Sequence, residues 1–412
     1  MTATANGPSS ATGRTGLPPE PGRTGPPPGV SRTAPPSPPA PLSALVLQGG
    51  GARGAYQTGA IRAIAEITGS RRSPFGIVCG ASVGAINAAS LAAASQDFQA
   101  GARHLESLWQ SLRSSSVYDT RTLPLLATGL RWALSPVLRY LGVPAPGGFL
   151  DHAPLGRLLE REYKPAHLRR AIRSGALHAF CITASSYSEG TSVTYFEGSR
   201  SIRNWQRVRR RGERALIGPQ HLLASAALPL AFAPVALSNG YFGDGSLRLG
   251  SPLSPAIHCG ARRILVISTR DRTPDAPGRS RPGHGPGIGE VAGHVLDILF
   301  NDNLEADYER LTRINRTVSL LGSEARKQTP LREIEALLLQ PSQDLRTVAR
   351  AHAARLPRAV GMLMRGFGAL EADGRIESYL MFEPDYIGAL ISAGYTDTMA
   401  RAAEIRAFFG RG

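Results

Sequence analysis

The chain predicts an α/β fold with a parallel sheet, on three observations. A short apolar run, Ala44-Leu45-Val46-Leu47, breaks into a glycine-rich loop that opens a helical pattern. The same strand–loop–helix succession recurs at once, through Phe75–Cys79, Gly80–Gly84 and Ala85–Ala94. This βαβα rhythm is that of a parallel sheet with crossover helices. Further apolar, strand-like runs follow downstream, and a length of 412 residues suits one large domain or two smaller ones.

The elements follow in chain order. Residues 1–42 hold twelve of the 32 prolines, with much Gly, Ser and Thr, and are expected to form a disordered tail because they bury too little apolar surface. Order begins at about residue 43. Ala55, Thr58, Gly59, Ile61, Ala65 and Ile67 fit one helix with a buried face. Residues 105–150 scatter Trp109, Leu123, Leu130, Trp132 and Tyr140 among Arg121, Arg131 and Arg139. They predict amphipathic helices, either a helical insertion packed on the sheet or a lid lying at a membrane surface. Strands are expected at Ala179–Thr183, Ser192–Phe196 and Ile264–Ser268. Val235–Leu237 and Tyr241-Phe242 flank Ser238-Asn239-Gly240 as a hairpin. Residues 271–287 are rich in Pro, Gly and Arg and predict a flexible loop, and 288–412 predict a helical C-terminal region, amphipathic from Val291 through Leu311.

Composition sets limits. Hydrophobic content of 42% with 19% charged residues is that of a globular chain. The net charge of +16 is almost all arginine, Lys164 and Lys327 being the lysines. Such a surface attracts anionic lipid headgroups or nucleic acid. Nucleic-acid binding gains no support, for no zinc-knuckle spacing or aromatic-interleaved basic motif appears. The densest basic run, Arg200 to Arg214 around Trp205, is either an anionic-membrane contact or a solvated helix face or loop. Cys79, Cys181 and Cys259 give no disulfide framework and no metal spacing, so neither metal nor disulfide is expected. With no signal-like start and no long apolar run, the sequence points to a cytoplasmic protein, at most peripheral to a membrane.

Two loops carry candidate chemistry. Gly80-Ala81-Ser82-Val83-Gly84 fits G-x-S-x-G, a nucleophile elbow in which serine sits on a tight strand-to-helix turn. Gly49–Gly54 also lies between strand and helix, and its amides suit an oxyanion hole. Gly49, Gly51 and Gly54 equally satisfy G-x-G-x-x-G, the dinucleotide fingerprint. No acidic residue ends the second strand, but Arg71 and Arg72 leave an NADP-binding oxidoreductase as an alternative. A serine nucleophile needs a base. His258 is the first histidine in the α/β-hydrolase order, but it lies in a helix-like stretch. Asp244, at a strand end in Gly243-Asp244-Gly245, is the other candidate, ahead of Asp373-Gly374 in a solvated-looking turn.

Gly49-Gly50-Gly51-Ala52-Arg53-Gly54, Gly80-Ala81-Ser82-Val83-Gly84 and Asp244-Gly245, in that order, resemble the three motifs of the patatin-like phospholipases. Ala224–Val235 is similar to the segment preceding that family's dyad aspartate. The resemblance implies a three-layer α/β/α fold with a mainly parallel sheet over residues 43–270, followed by a helical C-terminal extension. It further implies a serine lipid acyl hydrolase without a cofactor, working on lipid or acyl-ester substrates through an acyl-enzyme. By position, Ser82 would be the nucleophile, Asp244 the base, and the amides of Gly50, Gly51 and Ala52 the oxyanion donors, with Arg53 tuning the loop. His258 as a third member, and a non-catalytic lipid-binding protein of the same fold, remain as alternatives.

Overall fold

The computed structural model describes residues 42–142, 147–271, 288–366 and 374–410. The proline-rich tail, the 271–287 loop beyond Asp271, and Asp373 lie outside the described residues. Strands β1 (Ser43–Leu47), β2 (Ile77–Ala81), β3 (Ala179–Ser186), β4 (Thr191–Gly198), β5 (Trp205–Arg207), β6 (Arg210–Arg214), β7 (Val235–Leu237), β8 (Gly240–Gly243), β9 (Arg263–Ile267) and β10 (Glu335–Leu339) join one sheet. Its main path runs β10-β9-β1-β2-β3-β4-β6-β5, and the β7–β8 hairpin attaches to β3.

The stretch β10-β9-β1-β2-β3 is wholly parallel, and pairing turns antiparallel from β3 to β4 and within the two hairpins. Alternation along β1 shows why helices cover both faces. Leu45 and Leu47 enter one apolar cluster while Ala44 and Val46 enter the other. Helix α1 (Gly54–Thr68), helix α2 (Val83–Ala93) and helix α3 (Phe98–Ser111) fill the first side, where the Pro384–Ala400 helix packs on α1. The Ser254–His258 and Asn303–Ser319 helices cover the second through Ala256, Leu304 and Leu311. This is the three-layer α/β/α fold the motifs led one to expect.

Three expectations need correction. The C-terminal region is helical except for β10, which extends the sheet beside β9. The basic run is not a helix: Arg200 and Arg203 lie in a loop, and the part from Trp205 to Arg214 is paired strand. That part forms the β5–β6 hairpin, turning at Arg209 with φ of 55°, and Trp205 stacks on Phe196 with centroids 5.2 Å apart. Two of the run's arginines are tied down: Arg211 pairs with Glu189 and Glu213, and Arg214 donates to the carbonyls of Gly198, Ser199 and Ile202, while Arg200, Arg203, Arg207 and Arg209 are exposed. The dinucleotide reading fails on placement. Arg71 and Arg72 sit before β2, at its amino end, whereas a ribose-binding residue belongs at the carboxyl end.

Within 105–150 the Thr122–Ala133 and Ser135–Tyr140 helices expose Leu123, Leu126, Leu130, Val137 and Tyr140. Trp132 anchors this layer by stacking on Phe149 at 4.5 Å. No helix among the described residues is long and apolar enough to cross a membrane.

Candidate active site

The candidate residues collect where parallel strands present their carboxyl ends, the usual site position in open α/β sheets. β1 ends at Leu47, and the loop to α1 is tied down by its neighbours. Gln57 donates to the Gln48 carbonyl (2.7 Å), and Thr269, just past β9, donates its hydroxyl to the Gly49 carbonyl (2.8 Å). Gly51 has φ of 54°, and a Cβ there would overlap the Tyr379 carbonyl, so glycine is required on both counts. The Arg53 amide closes the turn on the Gly50 carbonyl at 3.1 Å and is thereby occupied. The Arg53 side chain is buried and points to Ser378 and Asp297.

β2 ends in the elbow. Ser82 has φ of 55° and ψ of −133°, a strained backbone for a residue with a Cβ. The turn is possible because Gly84 packs on the carbonyl of Leu47, where a Cβ would collide. The Ser82 amide donates to Ser225 Oγ (3.0 Å), whose hydroxyl donates to the Thr183 carbonyl (2.6 Å). Behind the elbow, buried Asn87 donates to the Gly54 carbonyl and to Gln57 and accepts from Trp109 Nε1 at 2.8 Å. Helix α2 starts directly after Ser82, so its positive end faces the hydroxyl.

The hairpin β7–β8 delivers Asp244. Its amide donates to the Ala227 carbonyl (2.9 Å), and its Oδ1 accepts the Ser246 amide (2.8 Å). Its Oδ2 accepts the Ser82 hydroxyl at 2.5 Å. Asp244 is 1% exposed and Ser82 4%. Burial pushes the Asp244 carboxyl up to about 6, against the opposing hydrogen bonds from Ser82 and Ser246.

Gly51 and Ser82 line the same pocket, with an apolar wall that includes Leu108, Leu112, Val117, Leu158 and Phe232. Phe300, Tyr379, Leu380 and Phe382 complete the wall from the C-terminal region.

Thus Ser82, Asp244 and the Gly50–Arg53 loop come together, and His258 does not join them. Its ring stacks on Trp205 (4.6 Å, 11° between planes) against the β5–β6 hairpin, and burial with Arg207, Arg210 and Arg332 lowers its pKa to about 4. Sequence reasoning missed Ser225, Asn87 and the C-terminal wall. Ser225 lay inside the recognised Ala224–Val235 segment, but no spacing marks an aromatic wall more than a domain's length away in sequence.

A serine on a strained strand-to-helix turn, beside a glycine loop and over an apolar pocket, is the arrangement of the α/β acyl hydrolases. The chain belongs to the patatin-like phospholipase family, whose model matches residues 45–257. Lipid acyl hydrolysis is the activity that family defines. Among solved structures, it is similar to VipD from Legionella pneumophila at 12% identity and a TM-score of 0.35, over 89% of this chain and 67% of that one. It is likewise similar to the type III effector protein ExoU at 15% identity and a TM-score of 0.36, over 89% of this chain and 54% of that one. The chain therefore spans about two thirds of the first and about half of the second. No curated protein sequence matches it.

Proposed function

We propose that this chain hydrolyses acyl esters of lipids, in the manner of a phospholipase A or lysophospholipase, with Ser82 as nucleophile and Asp244 as its base. The observation that carries this reading is the 2.5 Å hydrogen bond from Ser82 Oγ to buried Asp244 Oδ2 at the wall of an apolar pocket. With the acyl chain in the pocket, Ser82 Oγ attacks the ester carbonyl carbon as its proton passes to Asp244. Charge developing on the carbonyl oxygen is met by the amides of Gly50, Gly51 and Ala52. Collapse breaks the ester C–O bond, Asp244 returns the proton to the leaving alcohol, and an acyl-Ser82 ester remains. Water then attacks that ester with Asp244 again taking the proton, the acyl C–Oγ bond breaks as Asp244 returns that proton to Ser82 Oγ, and the fatty acid leaves.

An unperturbed carboxylate is a weak base, and a carboxyl raised to about 6 is better matched to neutral pH. The exposed leucine row of the Thr122–Ala133 helix and the surplus of arginine suit peripheral contact with an anionic lipid surface.

The test is turnover of fluorogenic phospholipids and lysophospholipids by wild type, Ser82→Ala and Asp244→Asn. Hydrolysis that persists in the Ser82→Ala protein sinks the mechanism, and lipid binding without any turnover makes the chain a non-catalytic lipid binder.

A further inference from the structure

The glycine loop is gripped from outside the segment that the family model covers. Buried Arg53 donates to Ser378 Oγ from Nε (2.9 Å) and Nη2 (2.7 Å), and Nη2 lies 3.4 Å from Asp297 Oδ1. The guanidinium sits 4.0 Å over the Tyr379 ring. Asp297, with its side chain 4% exposed, also accepts the Tyr379 hydroxyl (2.8 Å) and lies 3.5 Å from Arg346 and 3.4 Å from Arg375. A buried guanidinium without a counter-charge is strongly disfavoured, so Asp297 decides where Arg53 rests. Because the Arg53 amide closes the turn on Gly50, the resting place of Arg53 sets where Gly50, Gly51 and Ala52 aim their amides. The carbonyl of Tyr379, the residue next to Ser378, also bears directly on Gly51.

We propose that Asp297 and Ser378 are positioning residues for the oxyanion loop, acting through Arg53, and that the C-terminal region thereby completes the catalytic site. The proposal rests on the hydrolase reading above. Neither residue needs to touch substrate. Their effect falls on the transition state, where donor placement matters, and leaves acyl-chain binding alone.

The experiment uses the full chain, a short-chain fluorogenic acyl ester, and thermal melts of every variant. Ser378→Ala and Asp297→Asn are expected to lower kcat about tenfold to a hundredfold, with KM within about twofold. Ser378→Thr restores kcat to within about threefold of wild type, because it returns the hydroxyl. The Arg53→Gln/Asp297→Asn double variant is no slower than the slower single, because both act through one contact. Asp297→Asn leaves three arginines facing each other; should it not fold, Ser378→Ala and Ser378→Thr carry the test. Unchanged kcat in folded Ser378→Ala, a raised KM with normal kcat, or fully additive losses in the double variant each overturn the anchoring. Absence of Ser82-dependent turnover in wild type refutes the hydrolase reading itself, and the anchoring with it.

Discussion

Asparagine at position 244 keeps the shape of the side chain and removes its charge, which makes it a probe of both catalysis and burial. The Asp244 carboxyl titrates at about 6 in the fold against 3.8 when exposed. A difference of about two units corresponds to about 3 kcal/mol. The sign follows from proton binding. The folded chain holds this proton more tightly than the unfolded one, so the associated stability is full below 3.8 and is lost as pH rises through 6. Above about pH 7 the native state carries an ionised carboxylate that burial disfavours. Asparagine never ionises, and its carbonyl still accepts the Ser246 amide. Asp244→Asn is therefore expected to stabilise the protein by up to about 3 kcal/mol near pH 8 and by only about 1 kcal/mol near pH 4.5. Urea denaturation of both proteins at the two pH values measures this. In the same samples kcat/KM is expected to fall by about 10³- to 10⁴-fold. A stability difference that ignores pH, or a destabilised variant at pH 8, refutes the argument that burial governs this carboxyl. A stabilised variant with intact turnover refutes its role as base.

The other expectations concern its surroundings. In wild type, kcat/KM declines as pH drops through about 6, because the base must be ionised to take the Ser82 proton; a flat profile down to pH 4.5 contradicts this. Gly84→Ala, whose Cβ would meet the Leu47 carbonyl, costs about 1–3 kcal/mol and disables the elbow, and an unshifted melting temperature with normal turnover would show that the close approach is not needed. His258→Ala leaves turnover within about twofold and loses about 0.5–1.5 kcal/mol of stacking against Trp205, whereas a hundredfold drop in kcat would restore the histidine as a catalytic member. Leu158→Trp shortens the apolar pocket, so the ratio of long-chain to short-chain kcat/KM falls; equal effects on both chain lengths place the acyl group elsewhere.

Local signals carried much of this architecture. The two strand–loop–helix units were visible because apolar runs met glycine loops abruptly, and Ser238-Asn239-Gly240 marked the hairpin that delivers Asp244. What escaped was decided by tertiary contacts. Glu335-Ala336-Leu337-Leu338-Leu339 is made of good helix formers, and only the open edge of β9 turns it into a strand. The arginine-rich stretch became a hairpin because Trp205 covers Phe196, an event between residues on different strands. Ser82 and Asp244 each lay in a recognisable motif, but their pairing across the fold did not show in either motif. The partners of Arg53 had no local signal at all, since Asp297 and Ser378 sit in ordinary helical surroundings.

The placement of the three tryptophans makes the molecule its own optical reporter. Trp109 is buried in the pocket wall with its indole N–H on Asn87, so its emission should lie to the blue and respond when an acyl chain enters. Trp132 rides on the exposed helical insertion against Phe149, and its emission follows that layer if a lipid surface engages it. Trp205, in the β5–β6 hairpin and stacked on His258, packs against the other apolar cluster from Trp109 and supplies a built-in reference. Single-tryptophan versions, with the other two replaced by phenylalanine, would thus separate pocket filling from surface engagement in one titration without any attached dye.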